Sequence, residues 1–254
     1  MRRTGNWKFI FVELIVVFSG VYLAFLLSRY QEDKRAEMEQ KKILTAVKYE
    51  LEDFRLFMPG QAEYMEEKLD GWNQYVGTDS FPDYYTWRFL EPQYQYQILE
   101  YALQLENSEI IDLVLYENLS KIYRIIRSLE HTERRMTQFS DNYKPIPDSF
   151  SKTSEEYKLL FTESKLNFYK FRSAAYDRMS IKAGLGEISN EVLEVINTYF
   201  EEEELKEVEA EVIRRRYSDW GYENDEEKQE LVEEIMTGFP RFSEEEIRSF
   251  VNEF

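Results

Sequence analysis

Cysteine is absent from the 254 residues, histidine occurs once, and glycine (9) and proline (6) are scarce. Without cysteine there can be no disulfide, thiolate zinc site or cysteine nucleophile, and the redox state of the compartment leaves no mark on the chain. A single histidine, His131, removes most histidine-based metal centres and catalytic triads. The shortage of glycine and proline argues against many short strands joined by turns and suits packed helices. Positive charge is short as well. With 32 basic against 50 acidic side chains the net charge is −18, so most of the surface repels a phosphate backbone, and nucleic acid is not an expected partner. No glycine-rich phosphate loop and no Glu-x-x-His pair is present, so neither a cofactor nor a metal is expected.

What the chain does have is one long apolar run. Residues 9–28 read FIFVELIVVFSGVYLAFLLS, about 20 residues and about 30 Å of helix, the hydrocarbon thickness of a bilayer. Trp7 and Tyr30 bracket the run as interface anchors. A cleaved signal peptide would have a shorter apolar run ending in a small-x-small site, and before Ala24 the position that should be small holds Tyr22. The run is therefore expected to stay in the protein as a single-pass transmembrane helix. Glu13 lies within its first third, where an ionised carboxylate needs a partner, a proton or a path to the headgroups. At helical spacing it shares a face with Val17, Gly20 and Ala24, and the last two form a small-xxx-small step that lets another helix approach closely. A homo-oligomer is expected from that face.

After a short tail (1–8) and the span (9–28), residues 29–42 are almost wholly charged and read as a helical stalk. An apolar stripe then runs Ile43, Val47, Leu51, Phe54, Met58, and Gly60 is expected to end it. A second helix carrying Ala62, Met65, Leu69, Trp72 and Val76 is expected to return antiparallel beside the first. A short helix over about 94–105 precedes a long one, capped by Asn107 or Ser108, with the stripe Ile111, Leu115, Leu119, Ile122, Ile126 and Leu129. The first part of the bundle thus spans 43–140, and a loop with Pro145 and Pro147 covers 141–152.

The second part of the bundle spans 153–217. Thr153 and Glu156 are at capping-box spacing, a break is expected near Ser164, and Gly184 and Gly186 separate that stretch from a helix beginning at Ser189. Residues 218–254 offer two short amphipathic helices, the second opened by a capping box of Ser243 and Glu246. The fold class is all-α: one transmembrane helix continuing into a stalk and an antiparallel helical bundle.

The text ELIVVFSGVYLAF, the charged stalk, and then KKILTAVKYELEDF resemble an uncharacterised family of small single-span, membrane-anchored helical proteins of Gram-negative bacteria. Its membrane helix has a Glu-Leu pair near the start and a later Gly-x-x-x-Ala step, here Glu13, Leu14, Gly20 and Ala24. A second block, ILEYALQLENSEIIDLVLYENLSKIYRIIRSLEHTE, is also similar. The resemblance implies an inner-membrane protein with a periplasmic helical domain and no catalytic residues. The short, lightly basic N-terminal tail departs from that pattern. A plain count of Arg2, Arg3 and Lys8 before the span against Arg29, Lys34, Arg35, Lys41 and Lys42 after it points the other way, to a cytoplasmic domain.

Three classes of function are compatible with the residues. The first is a membrane-anchored interaction or scaffold protein that self-associates through its span and binds another envelope protein. The second is a sensor or effector of a stress or defence system in which Glu13 lines an ion-conducting oligomer. The third is a membrane-tethered ribonuclease of the HEPN type, for which Arg124 and His131, six residues between them, are the only candidate pair; Ile125 stands where such enzymes have a polar side chain. The expectation is the first class, with no enzymatic activity. Glu201 to Glu204 point around a helix and read as a solvated face, and Arg214 to Arg216 as intramolecular partners for neighbouring acids.

Overall fold

The computed structural model describes residues 7–86, 94, 96–104, 111–147, 149–217 and 225–253. Among these the chain is all-helical. Seven α-helices follow in order: α1 (Trp7–Asn73), α2 (Gln97–Ala102), α3 (Leu113–Asp141), α4 (Glu155–Asn197), α5 (Glu202–Tyr217), α6 (Asp225–Gly238) and α7 (Glu244–Glu253), with one 3-10 turn at Tyr84–Thr86.

The helix expected to end at Gly60 does not end there, and no antiparallel return follows: α1 is one helix of 67 residues with Pro59 inside it. A proline within a helix loses one backbone hydrogen bond and crowds the carbonyl of residue i−4. Here the apolar stripe keeps one phase through it, with Phe54, Met58, Ala62, Met65, Leu69 and Trp72 all buried. Continuous burial of one face outweighs the local defect. The partner that accommodates the proline is Gly186 of α4, where a Cβ would lie 2.9 Å from Pro59 Cγ. Gly186→Ala is therefore expected to destabilise the fold by about 1–3 kcal/mol through overpacking. Gly184→Ala on the same helix, with open space around it, should instead raise stability by up to about 1 kcal/mol through helix propensity. Thermal unfolding of the two variants against the parent checks the pair; equal behaviour would remove the Pro59 contact as the reason for Gly186.

Helix α1 ends in a turn closed at Gly77, whose φ of +78° is the left-handed conformation that glycine adopts without penalty. Contacts along α4 fix the directions of the long helices. Trp72 meets Phe171, Pro59 meets Gly186 and Lys48 meets Asn197, so α4 runs antiparallel to α1. Glu133 pairs with Arg178 and Asp112 with Tyr199, so α4 also runs antiparallel to α3. Consequently α1 and α3 are parallel, and the intervening chain must return along the bundle. It does so through the 3-10 turn at the far end and α2 at the near end, where Leu99 and Ala102 enter the core.

Further expectations about helix ends are corrected. Helix α4 continues through Ser164, Gly184 and Gly186 as a single 43-residue element, and the break falls between Asn197 and Glu202, before α5. Its N-cap is Ser154, whose side chain accepts from the Tyr157 amide, and not Thr153. The N-cap of α3 is Asp112, accepting from the Leu115 amide at 2.8 Å; Asn107 and Ser108 lie outside the described residues. The capping box at α7 is present, with Glu246 accepting from the Ser243 amide at 2.9 Å. The buried apolar side chains form three clusters. One joins α1, α2, α3 and α4 from Ile43 to Ile196, one is aromatic and surrounds Tyr84 at the far end, and one belongs to α5, α6 and α7.

Candidate functional site

Among the described side chains, the N-terminal part of α1 is exposed. Phe11 is 65% exposed, Phe18 66% and Phe25 64%, and every described side chain from Glu13 to Glu39 is exposed. A helix apolar on one stripe buries that stripe, whereas one apolar all round must be covered on every side. The stretch 14–27, LIVVFSGVYLAFLL, is of the second kind and lies on a helix long and apolar enough to cross a membrane. On its surface Glu13, Val17, Gly20 and Ala24 share one exposed face, and nothing stands within 4 Å of a Cβ built at Gly20. Tyr30, beyond the run, is 59% exposed with the Lys34 ammonium 5.9 Å from its ring centre. The side chain of Trp7 lies outside the described residues.

The charged stalk stays exposed until the folded part begins. Lys41 lies 3.9 Å from Glu37, but its stronger partner is Glu204 at the start of α5, at 2.7 Å, a contact that raises the lysine's pKa above its ordinary value. At this end α1 and α2 leave a cleft of 370 Å³ lined by Ile43, Ala46, Ile98 and Tyr101, with Glu39 and Lys42 at its edge.

Two groups of buried charge hold the long helices together, and neither was legible as a site. In the first, Glu133 of α3 accepts from Arg178 Nε at 2.7 Å and lies 3.4 Å from Lys182 Nζ. Tyr94 donates to its other oxygen at 3.0 Å, and Gln61 of α1 accepts from Lys182. Burial, followed by the neighbouring Arg178 charge, lowers the Lys182 pKa to about 8. The sign follows directly. Between pH 8 and 10 the unfolded lysine holds a proton that the folded one has lost, so stability rises with pH there, by at most about 1.4 kcal/mol per unit. Above pH 10 unfolded tyrosines ionise while Tyr84 and Tyr199 are held up at about 12, which opposes the trend. Lys182→Met is expected to abolish the rise between pH 8 and 10 in chemical denaturation; an unchanged slope would place its cause elsewhere.

In the second group, Lys48 is fully buried and donates to Glu52 at 3.3 Å, Asn197 at 2.7 Å and Glu209 at 3.2 Å. It therefore joins α1, α4 and α5 at one atom. Arg241 meets the same Glu209 oxygen at 2.5 Å, and Arg55 bridges Glu52 and the Gly238 carbonyl, the latter at 2.8 Å. A signal for the first group existed: continuing the α3 stripe from Leu129 by steps of four and three lands on Glu133 and Met136, both buried.

Arg124 and His131 are not brought together. Both are exposed on α3, two turns and about 10 Å apart along the axis, and the Arg124 Nε donates to the Ser120 carbonyl of its own helix at 3.2 Å. Of the arginine cluster, Arg214 lies 3.8 Å from Glu211 and from Glu253, whereas Arg216 reaches Asp53 of α1 at 3.4 Å. Among the described residues no group of His, Asp and Glu is arranged to hold a metal ion. No family model, curated protein or solved structure matches the chain.

Proposed function

We propose that this protein is a single-pass, membrane-anchored helical interaction or scaffold protein whose span self-associates through Glu13, Val17, Gly20 and Ala24. The observation that carries the reading is the exposure of every described side chain on an apolar helix surface between Phe11 and Leu27, continuous with a well-packed folded part. A lipid bilayer covers such a surface on all sides, and Gly20 with Ala24 offers a second helix the close approach that packing in lipid depends on. In this reading, taken from the resemblance, the protein sits in the inner membrane of a Gram-negative cell with its bulk in the periplasm, where the cleft beside the stalk would face an envelope protein partner.

The absence of cysteine makes single-cysteine scanning clean. In native membranes Val17→Cys should form a disulfide-linked dimer and Phe18→Cys, on the opposite face, should not; adding Gly20→Leu and Ala24→Leu should abolish the crosslink. Equal crosslinking on both faces, or none, would sink self-association through this surface. Cysteines placed in the folded part, probed with an impermeant thiol reagent, assign the side.

The second reading is an ion-conducting oligomer, favoured by the position of Glu13 on that same face. It requires conductance in planar bilayers that disappears in Glu13→Gln.

A further inference from the structure

A 160 Å³ cavity lies in the seam between α1 and α5, lined by Tyr49, Asp53 and Phe57 from one and Val212, Arg215 and Arg216 from the other. The α1 residues recur every four positions and so form one wall, while the last two turns of α5 supply the other. The Arg216 side chain is only 4% exposed. Its guanidinium carbon sits 3.5 Å from the centre of the Phe57 ring, a stacked position that fixes the plane of the fork. Its Nη1 is committed to Asp53 at 3.4 Å. Its Nε is sealed from solvent without a hydrogen-bond partner, and the Tyr217 ring lies 5.3 Å from the same guanidinium carbon, so the fork meets the cavity through its outer nitrogens.

The charge on the lining has the opposite sign to that of the whole chain. Two guanidiniums face one carboxylate, in a protein of net charge −18. Arg215 makes no ion pair among the described residues, and Glu211, one turn before it on α5, lies 3.8 Å from Arg214 while its charge also acts on Tyr49, where Arg215 opposes it. We infer that this seam is a binding site for one small tetrahedral oxyanion of the phosphate class, held by Arg215 and Arg216 with the Tyr49 hydroxyl as a further donor. The 160 Å³ cavity has room for a phosphate group, and its two guanidiniums set the class. Arginine forks match such oxygens in pairs. Because its two walls belong to α1 and α5, an occupied site would tie the α5–α7 unit more firmly to the long helix.

The full chain in detergent micelles, titrated with inorganic phosphate by calorimetry and by thermal unfolding at constant ionic strength against chloride, tests this. Wild type should bind one phosphate and unfold at higher temperature as it does. Arg215→Gln, an exposed position whose loss does not threaten the fold, should weaken binding by about tenfold or more, the loss of one charge-assisted contact. Asp53→Asn removes the only carboxylate on the lining and should tighten phosphate binding, a change that a purely structural Arg216–Asp53 pair does not produce. Glycerol 3-phosphate in place of phosphate separates the sources: binding of both assigns a phosphomonoester group, and binding of phosphate alone assigns the free ion. No phosphate binding by wild type, or equal binding by wild type and Arg215→Gln, overturns the site.

Discussion

Replacing Glu133 with alanine is expected to cost about 3–5 kcal/mol of folding stability, because it leaves two cations in the interior without their carboxylate. Arg178 and Lys182 are 11% and 3% exposed at the side chain and share Glu133 Oε1. Tyr94 would lose its acceptor as well. The loss is best read by urea denaturation of the full chain followed by circular dichroism. The contrasting variant replaces all three charges at once, Glu133→Leu with Arg178→Met and Lys182→Met. Replacing a buried ionic group by apolar side chains of similar volume is often neutral or stabilising, so the triple variant should recover most of what Glu133→Ala loses. A single Glu133→Ala costing less than about 1 kcal/mol would mean that water reaches the cluster and that it contributes little.

Deletion of residues 9–28 is expected to move the protein entirely from the membrane pellet to the soluble fraction while leaving the unfolding of the helical part unchanged. The two halves of this expectation rest on different observations. Release follows from the proposal that lipid covers the apolar surface between Phe11 and Leu27, for which a long uninterrupted apolar helix is the requirement. Unchanged unfolding follows from the packing, because no described side chain of the run contributes to any of the three apolar clusters, the first of which begins at Ile43. Alkaline carbonate extraction reads the first and thermal unfolding of the truncated chain the second. A truncated chain that still pellets would remove the run as the anchor. A truncated chain that fails to fold would show that the N-terminal helix supports the domain in a way its exposure does not suggest.

The second charge group also bears on how the α5–α7 unit is held. Its apolar cluster is its own, with Tyr49 and Leu56 of α1 packed at the edge. Its attachment is largely ionic, through Lys41 to Glu204, Lys48 to Glu209, Asp53 to Arg216 and Arg55 to the Gly238 carbonyl. A polar seam of this kind is the ordinary character of contacts between units that move relative to one another, and it is where the inferred oxyanion site lies.

Period and composition alone determined that the chain is helical, that one apolar run is long enough for a bilayer, and which faces of α1 and α3 turn to the core. Ile43 to Trp72 on α1 and Leu115 to Leu129 on α3 are buried as their three-and-four spacing requires, because that spacing is a property of the α-helix itself and needs no partner to be read, whereas Val76, beyond the end of α1, is exposed. The capping box of Ser243 and Glu246 was legible for the same reason, being local.

Where a helix stops was another matter. Gly60, Gly184 and Gly186 are local punctuation, yet each lies inside a helix, since continuous burial along α1 and α4 outweighs about 1 kcal/mol of unfavourable propensity at each position. Only the packed structure showed that Gly186 exists to admit the ring of Pro59. It alone decided that α1 and α3 run parallel, and it alone gathered Glu133 with Arg178 and Lys182, and Lys48 with Glu209. Those partners are separated by 45 residues or more, and which charge on one helix finds which on another is set by helix direction and axial level, quantities that no local pattern contains.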